Sequence, residues 1–147
     1  MIVNAEGNIV GRLASYVAKK ALSGETVIVV NAEKAIISGK KETILNKERG
    51  RLNIRNLGNP RKGPFHQRRP DKYLRRVIRG MLPYKKPIGK SAYKRVMVYI
   101  GIPKDEIKRN HNIEVDDSDI LELDDLKKNI RDYMTLGEIC NAIGGRW

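Results

Sequence analysis

The sequence is poor in several residue types, and each shortage removes a class of chemistry. One cysteine, Cys140, rules out an internal disulfide framework. The two histidines, His66 and His111, are too few and too isolated to build a zinc site with it. Aromatic residues make up only 5% of the chain. That disfavours a single-strand reader, which grips bases by stacking them on aromatic platforms. Long apolar runs are missing too: stretches such as Val27 to Val30 fall far short of the roughly 20 residues a membrane-spanning helix needs. The opening Met1-Ile2-Val3-Asn4-Ala5-Glu6 has no basic stretch ahead of an apolar one, so no secretory signal is expected and the cytoplasm is the expected location. Self-similarity at a period of roughly 20 to 50 residues is not visible either.

What the chain has in excess is positive charge. Lys and Arg number 30 against 17 Asp and Glu, for a formal net charge of +13 over 147 residues. A chain of this length buries about 70% of its unfolded surface without a disulfide or metal staple, and 40% hydrophobic residues supply a core. One domain spanning residues 1–147 is expected. Self-repulsion at +13 points to a polyanionic partner, with nucleic acid ahead of a membrane surface. The charge is unevenly placed. Residues 1–39 carry +1, residues 40–95 carry 19 basic against 3 acidic residues, and residues 96–147 carry −4. The flanks hold the clearest apolar patterns and therefore close the core around the basic middle.

The first segment predicts a β-α-β unit. Ile2 and Val3 begin a short strand. Leu13, Val17 and Ala21, with Ala14, Ala18 and Leu22, form helical stripes over about Gly11 to Leu22, and Gly24 ends them. Thr26-Val27-Ile28-Val29-Val30 is a β-branched run without alternation, the pattern of a strand covered on both faces in a parallel sheet. Ala35 to Ser38 adds a short extended piece before Gly39. From residue 40 the basic sequence is broken by glycine and proline, notably Gly58-Asn59-Pro60-Arg61-Lys62-Gly63-Pro64, and reads as an extended excursion ordered by its partner. Asp71 to Leu82 predicts a helix with Leu74, Val77, Ile78, Met81 and Leu82 on one face and Lys72, Arg75, Arg76 and Arg79 on the other; Pro83 stops it. A second helix is predicted over Ser91 to Ile100, capped by Ser91, with Ala92, Val96, Tyr99 and Ile100 inward. After an acidic stretch from Glu114 to Asp125, Thr135-Leu136-Gly137-Glu138 is a capping box, Leu136, Ile139, Cys140 and Ile143 follow at helical spacing, and Gly144 marks the stop. Asn129 to Met134 leaves strand and helix both open, with the boundary at Thr135 favouring a strand.

The candidate binding surface is the basic field. Its members are Lys40 and Lys41; Arg49, Arg51 and Arg55; Arg61, Lys62, Arg68 and Arg69; Lys72, Arg75, Arg76 and Arg79; then Lys85, Lys86, Lys90, Lys94 and Arg95. A solubilising surface mixes both signs, which this region does not. Its arginines suit phosphate oxygens better than lysines do. Phe65, Tyr73, Tyr84 and Tyr93 are its few aromatics, so contact with the phosphates and shape of structured nucleic acid is favoured.

Enzymatic readings fail on the residues. Gly89-Lys90-Ser91 resembles the end of a phosphate-binding loop, but the pattern needs glycine where Tyr84 stands. Gly7 and Gly11 follow the first strand without the full dinucleotide-binding spacing. Cys140 reads as an inert core thiol. Neither histidine has a neighbouring acid or nucleophile, and Asp116, Asp117 and Asp119 read as a solvated loop or a docking surface for a basic neighbour rather than a metal site. No cofactor or small-molecule substrate is expected. Two competing classes are a nucleic-acid-modifying enzyme and a DNA-compacting protein.

Several stretches carry a more specific signal: Gly11-Arg12-Leu13-Ala14-Ser15, Val30-Asn31-Ala32-Glu33-Lys34, Arg79-Gly80-Met81-Leu82-Pro83-Tyr84-Lys85-Lys86 with Gly89, Val98-Tyr99-Ile100-Gly101, and Thr135-Leu136-Gly137-Glu138-Ile139 with a final Trp147. In these the chain resembles the universal large-subunit ribosomal protein thirteen family, in its archaeal and eukaryotic branch. The resemblance implies a non-enzymatic α/β protein, three-layer α/β/α with a small, mainly parallel sheet of about four strands and basic extended loops. It further implies large-subunit ribosomal RNA and neighbouring ribosomal proteins as partners, and a role in subunit assembly. Residues 104–125 are the least family-like.

Overall fold

The computed structural model describes residues 1–127 and 130–147. Its first elements are strand β1 (Ile2–Asn4), helix α1 (Val10–Leu22) and strand β2 (Val27–Val30), the predicted β-α-β unit. α1 buries Val10, Leu13, Ala14, Val17, Ala18 and Ala21. It ends where Gly24 takes φ +101°, a conformation only glycine adopts cheaply.

The main sheet has the order β4-β2-β1-β5 and is parallel throughout, with β4 at Val96–Val98 and β5 at Ile120–Leu121. Every residue of β2 is buried, because its two faces meet different layers. Val27 and Val29, with Val3 of β1, pack among α1, α3 (Pro70–Met81) and α4 (Pro87–Lys94). Ile28 and Val30, with Ile2, meet Ile107 of α5 (Lys104–His111) and Val115. The expected three-layer α/β/α arrangement follows from this alternation.

A small antiparallel sheet pairs β3 (Ile36–Ser38) with β6 (Tyr133–Thr135), Ile37 opposite Met134. The segment left open, Asn129 to Met134, thus ends in a strand, while Asn129 lies outside the described residues. The capping box forms at the start of α6 (Leu136–Ala142). The Thr135 hydroxyl accepts from the Glu138 amide (3.2 Å), and the Thr135 amide donates to the Glu138 carboxylate (3.1 Å).

Two expectations are corrected. The basic segment after residue 40 does not open as an extended excursion: Lys41–Asn53 is helix α2. It lacks proline and is rich in Lys, Glu, Leu and Arg, all good helix formers, but it buries only Ile44 and Glu48 and so displays no apolar stripe. The helix predicted over Ser91 to Ile100 starts four residues earlier, at Pro87, and ends at Lys94. Proline suits the first helical turn, so Ser91 is no cap. Val96 to Val98 then form an edge strand: Val96 and Val98 pack toward one layer, Met97 and Tyr99 toward the other. That period of two overrides the coincidental i, i+4 spacing of Ala92 and Val96.

Candidate nucleic-acid interface

The basic residues from 40 to 95 sit on four consecutive pieces of chain. α2 carries Lys40 and Lys41 at its start and Arg49 and Arg51 toward its end, with Arg55 just beyond. The connection to α3 carries Arg61 and Lys62 in a single 3-10 turn (Pro60–Lys62), then Arg68 and Arg69. α3 carries Lys72, Arg75, Arg76 and Arg79. Lys85 and Lys86 lie in the turn before α4, Lys90 and Lys94 on it, and Arg95 just after it. Fifteen of the eighteen are exposed; Arg75, Arg79 and Arg95 are half-buried.

α3 behaves as its sequence predicts on the cationic side. Leu74 and Ile78 are fully buried under it, whereas Lys72 and Arg76 face solvent. The apolar side differs in detail: Tyr73 belongs to the core, and Met81 stays exposed. Tyr73 is therefore not a stacking surface for bases. Its hydroxyl donates to the Glu48 carboxylate (2.9 Å) and accepts from Arg51 (3.1 Å), while Arg51 also bonds both Glu48 oxygens (2.9 and 3.0 Å). Burial, reinforced by the Glu48 carboxylate, pushes the Tyr73 phenol up to about 12. This triad bolts α2 to α3. Glu48, one of only three acids in the field, is thus an internal tie that sequence reasoning missed. No local pattern marks it, because its partner Tyr73 lies 25 positions away.

Arg69 pairs with Asp71 (3.2 Å) and Arg95 donates to the Ala21 carbonyl at the end of α1 (3.4 Å), so neither guanidinium is wholly turned to solvent. The connection between α2 and α3 is closed on itself: His66 Nε2 donates to the Ile54 carbonyl (2.9 Å), and the Asn59 amide donates to the Asn56 side chain (3.2 Å). Arg51, Ile54, Phe65, His66 and Arg76 line the cleft between this loop and the helices.

At the far end of α3, two of the remaining aromatics meet the arginines. Arg75 lies over the Tyr93 ring (4.7 Å to the centroid), Arg79 lies over the Tyr84 ring (4.9 Å), and the two rings meet edge to face at 5.3 Å. Gly89 makes this elbow possible. Its backbone sits so close to the Pro83 carbonyl that a Cβ would overlap it. The glycine of the loop-like Gly89-Lys90-Ser91 run is thus a contact inside a helix, and the Lys90 amide is spent on the Lys86 carbonyl (3.1 Å), leaving no phosphate cradle.

The ends of the parallel strands, where an α/β sheet of this kind can hold a nucleotide, are occupied by side chains. Asn31 donates to the Asn4 side-chain oxygen (2.9 Å), Asn8 to the Asn4 carbonyl (3.0 Å), and Asn4 to Glu122 (2.6 Å). Cys140 is fully buried, and burial pushes its thiol up to about 12, which makes it a poor nucleophile at neutral pH. Asp117–Asp119 form one 3-10 turn, and no group of metal-ligating side chains occurs among the described residues.

Fold and surface together define a small three-layer α/β protein whose strand ends are filled and whose helices α2 to α4 carry a concentrated cationic surface. Comparison with known sequences narrows that class. The profile of ribosomal protein L13 matches residues 1–105. The large ribosomal subunit protein uL13 of Methanococcus maripaludis is 45% identical over 148 aligned positions, covering 100% of this chain and 99% of the relative. That of Methanocaldococcus jannaschii is 45% identical, covering 99% and 98%, and that of Haloarcula marismortui is 44% identical, covering 98% and 90%. The chain belongs to the ribosomal protein L13 family, in its archaeal branch, and that family is structural rather than enzymatic. The resemblance read from the sequence motifs is thereby borne out.

Proposed function

We propose that this chain is a structural constituent of the large ribosomal subunit in the cytoplasm, binding ribosomal RNA and supporting assembly of the subunit. The whole chain acts as one unit, with the α/β core as a mount and residues 40–95 as the RNA-facing part. The observation that carries the reading is the split of α3, which buries Leu74 and Ile78 while Lys72 and Arg76 face solvent and Arg75 and Arg79 lie half-buried at its edge. Burying one face against a rigid sheet fixes the direction of the other, so the guanidinium groups are presented as an array that suits the closely spaced phosphates of folded RNA. The family of ribosomal proteins to which the chain belongs supports the same reading. The acidic stretch between Glu114 and Asp125, on the opposite end of the charge distribution, suits a basic neighbouring ribosomal protein rather than RNA.

Two measurements test this. Through a density gradient the protein should sediment with large subunits; recovery only from free fractions would overturn the proposal. In a salt titration, engagement of about 6 to 10 phosphates gives a slope of log K against log salt of roughly −4 to −9. Replacing Arg75, Arg76 and Arg79 together by alanine should flatten that slope and weaken binding while the fold survives. A competition in which duplex DNA displaces structured RNA at equal concentration would favour a DNA-compacting protein instead.

A further inference from the structure

We propose that Tyr84 and Tyr93 are positioning residues. Their rings hold the guanidinium groups of Arg75 and Arg79 as a preset pair of forks, and the α3–α4 elbow receives phosphates of folded RNA on that pair. The proposal rests on the reading of residues 40–95 as the RNA-facing part.

Four observations support it. First, each guanidinium lies over one ring, at 4.7 and 4.9 Å from its centroid, and the rings brace each other edge to face at 87°. The order of contacts is therefore Arg75, Tyr93, Tyr84, Arg79, joined in the middle by an edge-to-face ring pair. Second, among the described residues neither arginine is paired with a carboxylate, unlike Arg51 and Arg69. Arg75 Nε is buried with no hydrogen-bond partner, so the stack, not an acid, fixes this side chain. Third, Arg75 and Arg79 are one helical turn apart on the same side of α3, so both guanidinium groups border the one elbow. Fourth, the elbow is stiff. Gly89 of α4 packs on the Pro83 carbonyl, and the Lys86 amide donates to that same carbonyl (2.9 Å). Exposed Lys85, Lys86 and Lys90 surround it and add charge without fixed direction.

The physical consequence is preorganisation. A free arginine loses about 2 kcal/mol of rotamer freedom when it is fixed, and that loss subtracts from affinity. A side chain already stacked loses less on binding, and its planar edge stays available for bidentate bonds to phosphate oxygens. The few aromatics of this chain thus serve RNA binding indirectly: they stack on arginines rather than on bases.

The test uses the full chain and a folded transcript of archaeal large-subunit ribosomal RNA, titrated across salt. Y84L/Y93L should weaken binding about fivefold, the scale of the side-chain ordering cost that the rings remove, with the salt slope unchanged because every charge remains. Y84F/Y93F keeps both rings and should bind as the native chain does. R75K/R79K keeps the charge but loses the planar guanidinium and should fall at least as far as the leucine pair. R75A/R79A should weaken binding further and flatten the slope. Native affinity in R75K/R79K, or in a folded Y84L/Y93L, beside a clear loss in R75A/R79A would overturn the positioning role and leave the RNA reading standing. Native affinity and slope in R75A/R79A would remove this elbow from the RNA-facing surface altogether. Should the leucine pair fail to fold, Y84L and Y93L made singly decide, each expected to weaken binding with the salt slope unchanged, and native affinity in both would overturn the positioning role.

Discussion

Helices α1 and α2 are both 13 residues long and are held by opposite means. α1 buries six apolar side chains on the sheet, a non-directional attachment that many sequences could supply. α2 buries one isoleucine and one glutamate, and its link to α3 passes through three named polar groups, Glu48, Tyr73 and Arg51. The first helix belongs to the mount and the second to the cationic surface. A surface dense in like charge has few apolar side chains to spare, so its attachment depends on a few specific bonds. Charge concentration and apolar anchoring therefore trade against each other along this chain.

Breaking the anchor of α1 should have the largest effect. Leu13 of α1 is fully buried in the core cluster that includes β1, β2 and α3 residues, and Leu13→Ala is expected to destabilise the protein by about 3 to 4 kcal/mol through lost burial and the cavity left behind. Chemical denaturation measures the loss, and hydrogen exchange should show it spread over β1 and β2 as well as α1. Breaking the tie of α2 should be smaller and local. Glu48→Ala leaves the buried Tyr73 hydroxyl without its acceptor, at about 2 kcal/mol, with faster exchange confined to α2 and the start of the following loop. Equal, global losses from both substitutions would erase the distinction between mount and surface.

The same contrast explains what was legible in the sequence. The β-α-β unit, α3 and the capped α6 are readable because apolar periodicity, a glycine stop and a capping box are local signals, and each coincides with what the tertiary structure buries. α2 escaped because its anchor is a charged residue, which periodicity counts as surface. β4 escaped because three residues are too few to display alternation against a neighbouring helix whose Ala92 continues the pattern by chance. The pairing of β3 with β6 joins segments nearly a hundred positions apart, and no short-range pattern encodes that. In the basic field, the sequence shows which residues are basic but not their division into tied, stacked and exposed groups. That division depends on Glu48, Tyr84 and Tyr93, whose partners are set by helix packing.

The smallest change probes the tie most sharply. Tyr73→Phe keeps the ring that packs in the core and removes only the hydroxyl that links Arg51 to Glu48, so at neutral pH the loss should be about 1 kcal/mol. Its value lies in the pH dependence. The unfolded phenol ionises near 10, whereas the folded one is held up to about 12 by burial and by Glu48. The folded state therefore retains a proton that the unfolded state gives up, and stability from this group is complete below pH 10 and is lost as pH rises toward 12. The variant has no such group. Its denaturation midpoint should lie below that of the native protein at pH 8 and approach it steadily between pH 10 and 12. A constant difference across that window would mean that Tyr73 is not held against Glu48, and that α2 is fastened by the packing of Ile44 and Leu45 with Met134 and Ile139.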